Sequence, residues 1–126
     1  MSAINAAGLD RFLTSGLTKF DRLTLHSGEP GVDGTANVVS AAPAACAWDT
    51  PESDGGDGRQ APLAAAVEFT GATPLTAVAY LGVWDYNTGS PVYLGYITRS
   101  TGDAATNAAG AYTVTVDTTI SVENAA

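Results

Sequence analysis

The stretch TAVAYLGVWDYNTGSPVYLGYI, residues 76–97, decides the fold class of this chain. Two runs rich in valine, leucine and aromatic residues, Val78–Trp84 and Val92–Ile97, flank the segment Asp85–Pro91. Runs of this composition form strands, and the asparagine, glycine and proline between them form turns. The stretch therefore predicts an antiparallel β-hairpin.

The first strand of this hairpin is apolar on both faces. Leu81 and Val83 alternate with Tyr80 and Trp84, so each face carries large side chains. A strand that is covered on both sides belongs to the middle of a sheet. We expect one face in the core and the other beneath a helix or a neighbouring subunit.

Further strands are predicted on both sides of the hairpin. Residues 112–122 alternate between apolar and polar side chains, with a break near Asp117-Thr118. No helical pattern separates the strands, so a parallel sheet is disfavoured. The chain is predicted to be all-β, an antiparallel β-sandwich of about six to eight strands with a short N-terminal helix. The remaining strand candidates are Phe20–His26, Asn37–Ser40 and Leu63–Thr70.

The N-terminal helix is predicted over residues 2–17, with Ser2 as its cap. Its large apolar residues recur at helical spacing and lie near one face. These residues are Ile4, Leu9, Phe12 and Leu13. We therefore divide the chain into an N-terminal helical arm, residues 1–17, and a single β-sandwich domain, residues 18–126, with an acidic surface loop at 49–58.

Charge and cysteine content exclude several classes of protein. The 126 residues carry a formal net charge of −8, which repels nucleic acid and anionic membranes. No run approaches the roughly 20 apolar residues of a membrane span, and the N-terminus lacks the pattern of a secretory signal. Cys46 is the only cysteine, so it forms no internal disulfide and no C-x-x-C site. We expect Cys46 to be a small buried hydrophobic residue in a protein made in a reducing cytoplasm.

The stretch LTLHSGEPG, residues 23–31, contains the only histidine. His26 ends a predicted strand beside Ser27, and Glu29 follows, so a catalytic arrangement is one interpretation. A triad needs a nucleophile, an imidazole and a carboxylate in mutual hydrogen-bond reach, and no G-x-S-x-G motif marks a nucleophile. We favour a structural or exposed His26, and we predict no enzyme activity.

The segment DTPESDGGDG, residues 49–58, has four acidic residues and three glycines. Four carboxylates could bind calcium, which takes six to eight oxygen ligands. The spacing does not match an EF-hand loop, so a solvated acidic loop is the preferred interpretation, and calcium binding is left open. No cofactor or metal is predicted. The acids are Asp49, Glu52, Asp54 and Asp57.

Aromatic residues concentrate in and beside the predicted hairpin. Tyrosine and tryptophan are common at protein contacts, and they also fill cores. We expect part of this set in the core and part at an interface. The candidate contact residues of the hairpin are Tyr80, Trp84, Tyr86 and Tyr93, and those of the helix are Ile4, Leu9, Phe12 and Leu13.

The order of motifs along residues 20–123 resembles a family of small β-sandwich virion structural proteins from tailed bacteriophages. The family shows a strand that ends in a Leu-His pair, then a small residue, an acid and Pro-Gly, and then Asn-Glu-Val or a similar run. Later come Gly-Leu/Val-Trp-Asp/Ser, a Thr-Gly turn, a Leu-Gly pair and a C-terminal strand rich in threonine and valine. The acidic insertion at 49–58 is the main departure from this pattern. The matching residues are Leu25, His26, Pro30, Gly31, Asn37, Val38, Gly82, Val83, Trp84, Asp85, Thr88, Gly89, Leu94 and Gly95.

The resemblance implies a non-enzymatic virion protein that is assembled in the host bacterial cytoplasm. We expect a capsid decoration (minor capsid) protein that binds between capsomers of the major capsid protein lattice. The alternative is a minor tail or tail-tip module that binds host surface carbohydrate or protein. Closed symmetry suits symmetric lattice positions, so a homo-oligomer, a trimer or dimer, is expected. Neither nucleic acid nor membrane is an expected partner.

Overall fold

A computed structural model of the chain describes residues 5–56 and 58–122. The described part contains one helix and nine strands. The helix is α1 (Ala6–Leu17), and the strands are β1 (Arg22–His26), β2 (Ala44–Ala45), β3 (Glu52–Ser53), β4 (Arg59–Pro62), β5 (Val67–Phe69), β6 (Tyr80–Asp85), β7 (Val92–Thr98), β8 (Tyr112–Val114) and β9 (Thr119–Val122).

The predicted hairpin is confirmed as strands β6 and β7, which belong to a four-stranded antiparallel sheet. The strand order is β2-β1-β6-β7, so β6 lies in the interior of the sheet and β7 at its edge. Arg22 of β1 lies opposite Trp84, and His26 lies opposite Tyr80. A β-bulge interrupts the β6–β7 ladder, because Val83 pairs with Gly95 and Trp84 with Tyr93.

The C-terminal segment forms two strands in two different sheets. Strand β8 pairs with β5, and strand β9 pairs with β4, whose other neighbour is β3. A turn in which the Thr118 N–H donates to the Thr115 carbonyl (3.1 Å) separates them. The predicted break near Asp117-Thr118 is therefore confirmed.

One core joins the sheets. Leu23, Leu25 and Leu81 of the four-stranded sheet are almost fully buried against Phe69 and Tyr112 of the β5–β8 pair. Phe20, Trp48, Ile97 and Ile120 are partly buried at the margin of this core. The all-β fold with antiparallel sheets and a short N-terminal helix is confirmed.

Several predicted boundaries differ from the structure. Residues 37–40 form only an isolated bridge, between His26 and Val38, and the predicted strand at 63–70 is reduced to β5. Strand β4, Arg59–Pro62, was missed because its Arg-Gln-Ala-Pro sequence has no strand pattern. The acidic segment is not a loop throughout, since Glu52–Ser53 pairs with β4.

The helix begins later than predicted. Helix α1 starts at Ala6, and Asn5 caps it by accepting a hydrogen bond from the Gly8 N–H at 2.9 Å. The predicted cap, Ser2, lies outside the described residues. Leu9 and Leu13 are buried on the side of α1 that contacts β4 and β9, and Arg59 of β4 pairs with Asp10 at 2.6 Å. None of the described helices is long and apolar enough to cross a bilayer.

Candidate functional site

The outer face of the four-stranded sheet brings together the histidine and the tryptophan that the sequence singled out. Side chains alternate along a strand, so the inward positions of Leu25 and Leu81 place Thr24, His26 and Trp84 on the opposite face. These three side chains form one hydrogen-bonded chain. We call it the outer-face network.

The network assigns the tautomer of His26. Its Nδ1 lies 2.8 Å from the Ala36 carbonyl, which can only accept, so Nδ1 carries the proton. Its Nε2 lies 2.7 Å from the Thr24 hydroxyl, which donates to it. The Thr24 oxygen in turn accepts from the Trp84 indole N–H at 3.0 Å. Every polar side-chain atom of the outer-face network therefore has a hydrogen-bond partner.

The surroundings of His26 keep its ring neutral. Burial lowers the pKa of His26 below its ordinary value of 6.5, and the hydrogen bond to the Ala36 carbonyl only partly opposes this effect. A proton on Nε2 would make the Thr24 hydroxyl accept from both His26 and Trp84, and would leave the hydroxyl proton without a partner within the described residues. The neutral imidazole is therefore the form that fits the fold.

The loop Ser27–Asn37 covers the network, and we call it the flap. The Ser27 N–H donates to the Asn37 carbonyl at 2.9 Å, which closes the base of the flap. Pro30 is fully buried inside it. Gly34, at φ +76°, lies so close to the rings of Trp84 and Tyr93 that no side chain fits there. The flap therefore seals this part of the outer face against solvent.

Gly82 on β6 is the floor of the network. A Cβ atom at this position would overlap the Thr24 hydroxyl and lie 2.8 Å from Nε2 of His26. The backbone of residue 82 has an ordinary φ, so glycine is required here because a side chain would not fit. The same residue belongs to the Gly-Val-Trp-Asp run of the resemblance.

The geometry favours the structural interpretation of His26 over the catalytic one. The ring has no exposed surface, and both nitrogens are occupied by internal partners. Ser27 and Glu29, the candidate helpers, are exposed, and no hydrogen bond joins their side chains to the ring within the described residues. A substrate could reach this imidazole only after the flap had moved.

The predicted contact face of the helix is corrected by the structure. Leu9 and Leu13 are 2% and 4% exposed, because this side of α1 packs on β4 and β9 instead of facing a partner. Phe12 is 63% exposed and remains available for contact. Ile4 lies outside the described residues.

The predicted aromatic contacts are half-buried. Tyr80 meets Tyr96 edge to face at 5.1 Å, and Trp84 lies 5.2 Å from Tyr93 and 6.4 Å from Tyr86 between ring centroids. Arg22 lies over the ring of Tyr86 at 5.5 Å. The expected division of this set between core and interface stays a prediction, and Gly34 of the flap lies against the ring of Trp84.

The hydroxyl group of Tyr93 is in an unfavourable position, and this can be tested. Its hydroxyl is enclosed and has no hydrogen-bond partner within the described residues, and burial raises its pKa. An enclosed, unpaired hydroxyl costs about 1–3 kcal/mol. We expect Tyr93→Phe to leave the free energy of unfolding unchanged or to raise it by about 1 kcal/mol, measured by urea denaturation.

Tyr112→Phe is the matched control for this change. The Tyr112 hydroxyl donates to the Asp103 carbonyl at 2.6 Å, so its loss should lower the free energy of unfolding by about 1 kcal/mol. If Tyr93→Phe destabilised the protein as much as Tyr112→Phe, the Tyr93 hydroxyl would have a partner in solution.

Cys46 is expected to be chemically inert in the folded protein. Burial raises the pKa of its thiol to about 12, and the negative charge of Asp21 adds to the effect. At pH 8 only about one thiol in 10⁴ is then ionised, and the thiolate is the reactive form. We expect Ellman's reagent to react at least about 100-fold more slowly with native protein than with protein in guanidinium chloride. Equal rates would contradict the burial of this thiol.

The acidic segment does not assemble a metal site in the part of the chain that the structure describes. No group of three or more possible ligands occurs among residues 5–56 and 58–122. Asp49 and Asp54 accept hydrogen bonds from the nearby backbone N–H groups of Thr50 and Gly56. Asp57, the fourth candidate ligand, lies outside the described residues.

The structure adds a surface that sequence reasoning missed. Two connected depressions, of about 230 and 120 Å³, share Phe20 and Ile120 between α1, β9 and the edge strand β7. We call them the apolar groove. No charged residue lines it. Apart from Ser121 and Gly95, the lining residues are apolar or aromatic in the sequence, but only the tertiary arrangement brings them together. The other lining residues are Phe12, Leu13, Val83, Leu94, Gly95, Tyr96, Ile97 and Ser121.

Comparisons of the chain with protein-family models, with curated proteins and with solved structures found no match.

Proposed function

We propose that the chain is a non-enzymatic structural protein of a bacteriophage virion, a capsid decoration protein that binds between capsomers and stabilises the head. The proposal starts from the ordered motifs of residues 20–123. It is supported by where those motifs lie in the fold.

One observation carries the proposal: three of the motif residues, His26, Gly82 and Trp84, lie together in the hydrogen-bonded network beneath the flap. His26 and Trp84 satisfy their polar atoms within the outer-face network, over the floor made by Gly82. This pattern specifies a flap and a sheet, and it does not place a nucleophile and a base together at the described surface. Such a pattern is typical of a protein that binds a partner and stabilises it.

The surface available for binding is apolar and lies around the edge strand. Phe12, Val92, Leu94 and Tyr96 are between 42% and 63% exposed. Burial of such surface against a partner is worth about 25 cal/mol per Å² of apolar area. Contacts repeated over many copies would resist the outward pressure of a packaged genome. The net charge of −8 keeps the chain away from the genome itself.

The test is the copy number of the chain in purified virions of the bacteriophage that encodes it. Quantitative mass spectrometry against the major capsid protein should give hundreds of copies per particle. A handful of copies would assign the chain to the tail and support the alternative of a host-binding module. Absence from the particle would overturn both.

A second measurement tests the stabilising role directly. Capsids that lack the chain should lose their genome at lower temperature than wild-type capsids, and added protein should restore their resistance. Equal heat resistance of both particles would contradict the proposed role, whatever the copy number.

A further inference from the structure

The edge strand β7 is the most exposed apolar element among the described residues. It runs for seven residues, Val-Tyr-Leu-Gly-Tyr-Ile-Thr, at one end of the sheet order β2-β1-β6-β7. Val92, Leu94 and Tyr96 are 44%, 42% and 48% exposed. Such an edge presents unpaired N–H and C=O groups that can template another strand.

The two edges of this sheet differ in their protection. Strand β2 is two residues long and follows Pro43, which limits pairing. Strand β7 also follows a proline, Pro91, but it is seven residues long, has neither charge nor proline within it, and is interrupted only by the bulge at Leu94. Beyond that bulge, Gly95–Thr98 pairs residue by residue with β6, and no strand pairs with its other edge within the described residues.

The absence of charge on β7 and the self-complementarity of an antiparallel edge point to a second copy of this chain as the occupant. The chain carries −8, so two copies repel one another over most of their surfaces. Strand β7 and the apolar groove beside it contain no charged side chain, which makes this face one where two acidic copies can meet without like-charge contact. An antiparallel edge is also complementary to itself across a two-fold axis.

We propose that β7 of one copy pairs antiparallel with β7 of a second copy, which joins the two four-stranded sheets into one continuous sheet. Leu94, which the bulge turns toward the apolar groove, would then lie at the junction with the partner. The dimer does not depend on binding to a capsid. If the chain is a decoration protein, this pairing defines the unit that binds.

The area of the interface determines the affinity that we expect for the dimer. A seven-residue strand is about 23 Å long. A stable dimer buries about 800 Å² from each copy, which is roughly an eighth of the 6763 Å² surface of this chain. A strand edge alone covers less than that, so the groove must contribute. We expect a reversible dimer whose population rises with concentration.

Sedimentation equilibrium over about 1–500 µM tests the pairing, a range chosen for the micromolar affinity of a small interface. Wild type should change from the 12.7 kDa monomer to a species of twice that mass. Leu94→Lys and Tyr96→Lys should each weaken association at least about 10-fold. Either change brings two lysines, one from each copy, close together near the two-fold axis of the dimer. Val116→Lys is the control, since Val116 is 48% exposed, like Tyr96, but lies outside β7.

Three outcomes would overturn the inference: a wild-type monomer at every concentration, a closed trimer, or a dimer that the two β7 lysines leave unchanged while melting curves show all variants folded. Cysteine trapping gives a second readout. In a Cys46→Ser background, a single cysteine placed at 94, 96 or 98 should form a disulfide-linked dimer on mild oxidation only at the position nearest the two-fold axis, because identical positions on two antiparallel strands separate by about 7 Å for each residue away from that axis. Val116→Cys should not form such a dimer. Equal crosslinking at all four positions would also contradict the pairing. Neither result depends on virions, so failure here is distinct from failure of the proposed function.

Discussion

Replacing Gly82 with alanine is expected to lower the free energy of unfolding by about 1–3 kcal/mol, the usual range for forcing a methyl group into filled space. The new Cβ would overlap the Thr24 hydroxyl and lie 2.8 Å from Nε2 of His26. Relief requires movement of the whole network, because Thr24 is also held by Trp84. Urea denaturation with tryptophan fluorescence measures the effect.

Gly56→Ala provides the matched control. Gly56 is exposed, its backbone has an ordinary φ, and an added Cβ would lie 3.6 Å from the nearest side-chain atom, on Asp54. Such a change usually leaves stability unchanged or raises it slightly. If both alanines had the same small effect, Gly82 would not be the floor of a filled network.

Acidification below about pH 7 should destabilise the protein through His26, whose pKa is lowered from 6.5 in the folded state. Its pKa is lowered in the folded state, so the unfolded chain binds a proton more readily. This contribution to stability is complete above the ordinary histidine pKa of 6.5 and is lost as the pH falls below it. The slope for one group cannot exceed about 1.4 kcal/mol per pH unit. Melting temperature measured at half-unit steps of pH gives the slope.

His26→Asn separates the histidine from the carboxylates. An asparagine amide can still donate toward the Ala36 carbonyl, but it does not titrate in this range. The variant should be less stable at pH 7.5 and should show a much flatter dependence on pH. Asp33 on the flap does not interfere, because hydrogen bonds from Thr35 lower its pKa further below that of a histidine. An unchanged slope in His26→Asn would assign the effect to other groups.

The sequence predicted the parts of the fold that local chemistry determines. The β6–β7 hairpin was predictable because its strands are strongly apolar and its turn contains Asn-Thr-Gly. Strand β4 was not, because Arg59 and Gln60 owe their strand conformation to pairing with β3 and β9. The separation of β8 from β9 was visible as a break at Asp117, but their different sheets depend on tertiary packing.

The candidate site, too, was predictable only where local sequence determines it. Sequence reasoning favoured a structural or exposed His26 because no nucleophile motif accompanied it, and the structure shows the buried alternative. Its partner Ala36 is brought to it only by the folded flap. The helical spacing of Leu9, Phe12 and Leu13 predicted an apolar face without stating what it would meet. The fold uses two of these residues internally and exposes the third. The groove beside Phe12 combines residues from distant segments, so no local pattern could have predicted it.

The connectivity of the strands also bears on how the chain reaches its fold. Only the β3–β4 and β6–β7 pairs are joined by short turns, whereas β1 must find β6, β5 must find β8, and β4 must find β9 across tens of residues. Closing such loops early is entropically unfavourable, and β-rich chains of this kind fold in milliseconds to seconds. The β6–β7 hairpin can form well before the rest. We therefore expect a newly made chain to pass through a slow stage in which β7 is already extended and uncovered, and in which β7 of a second chain can pair with it before either chain has folded.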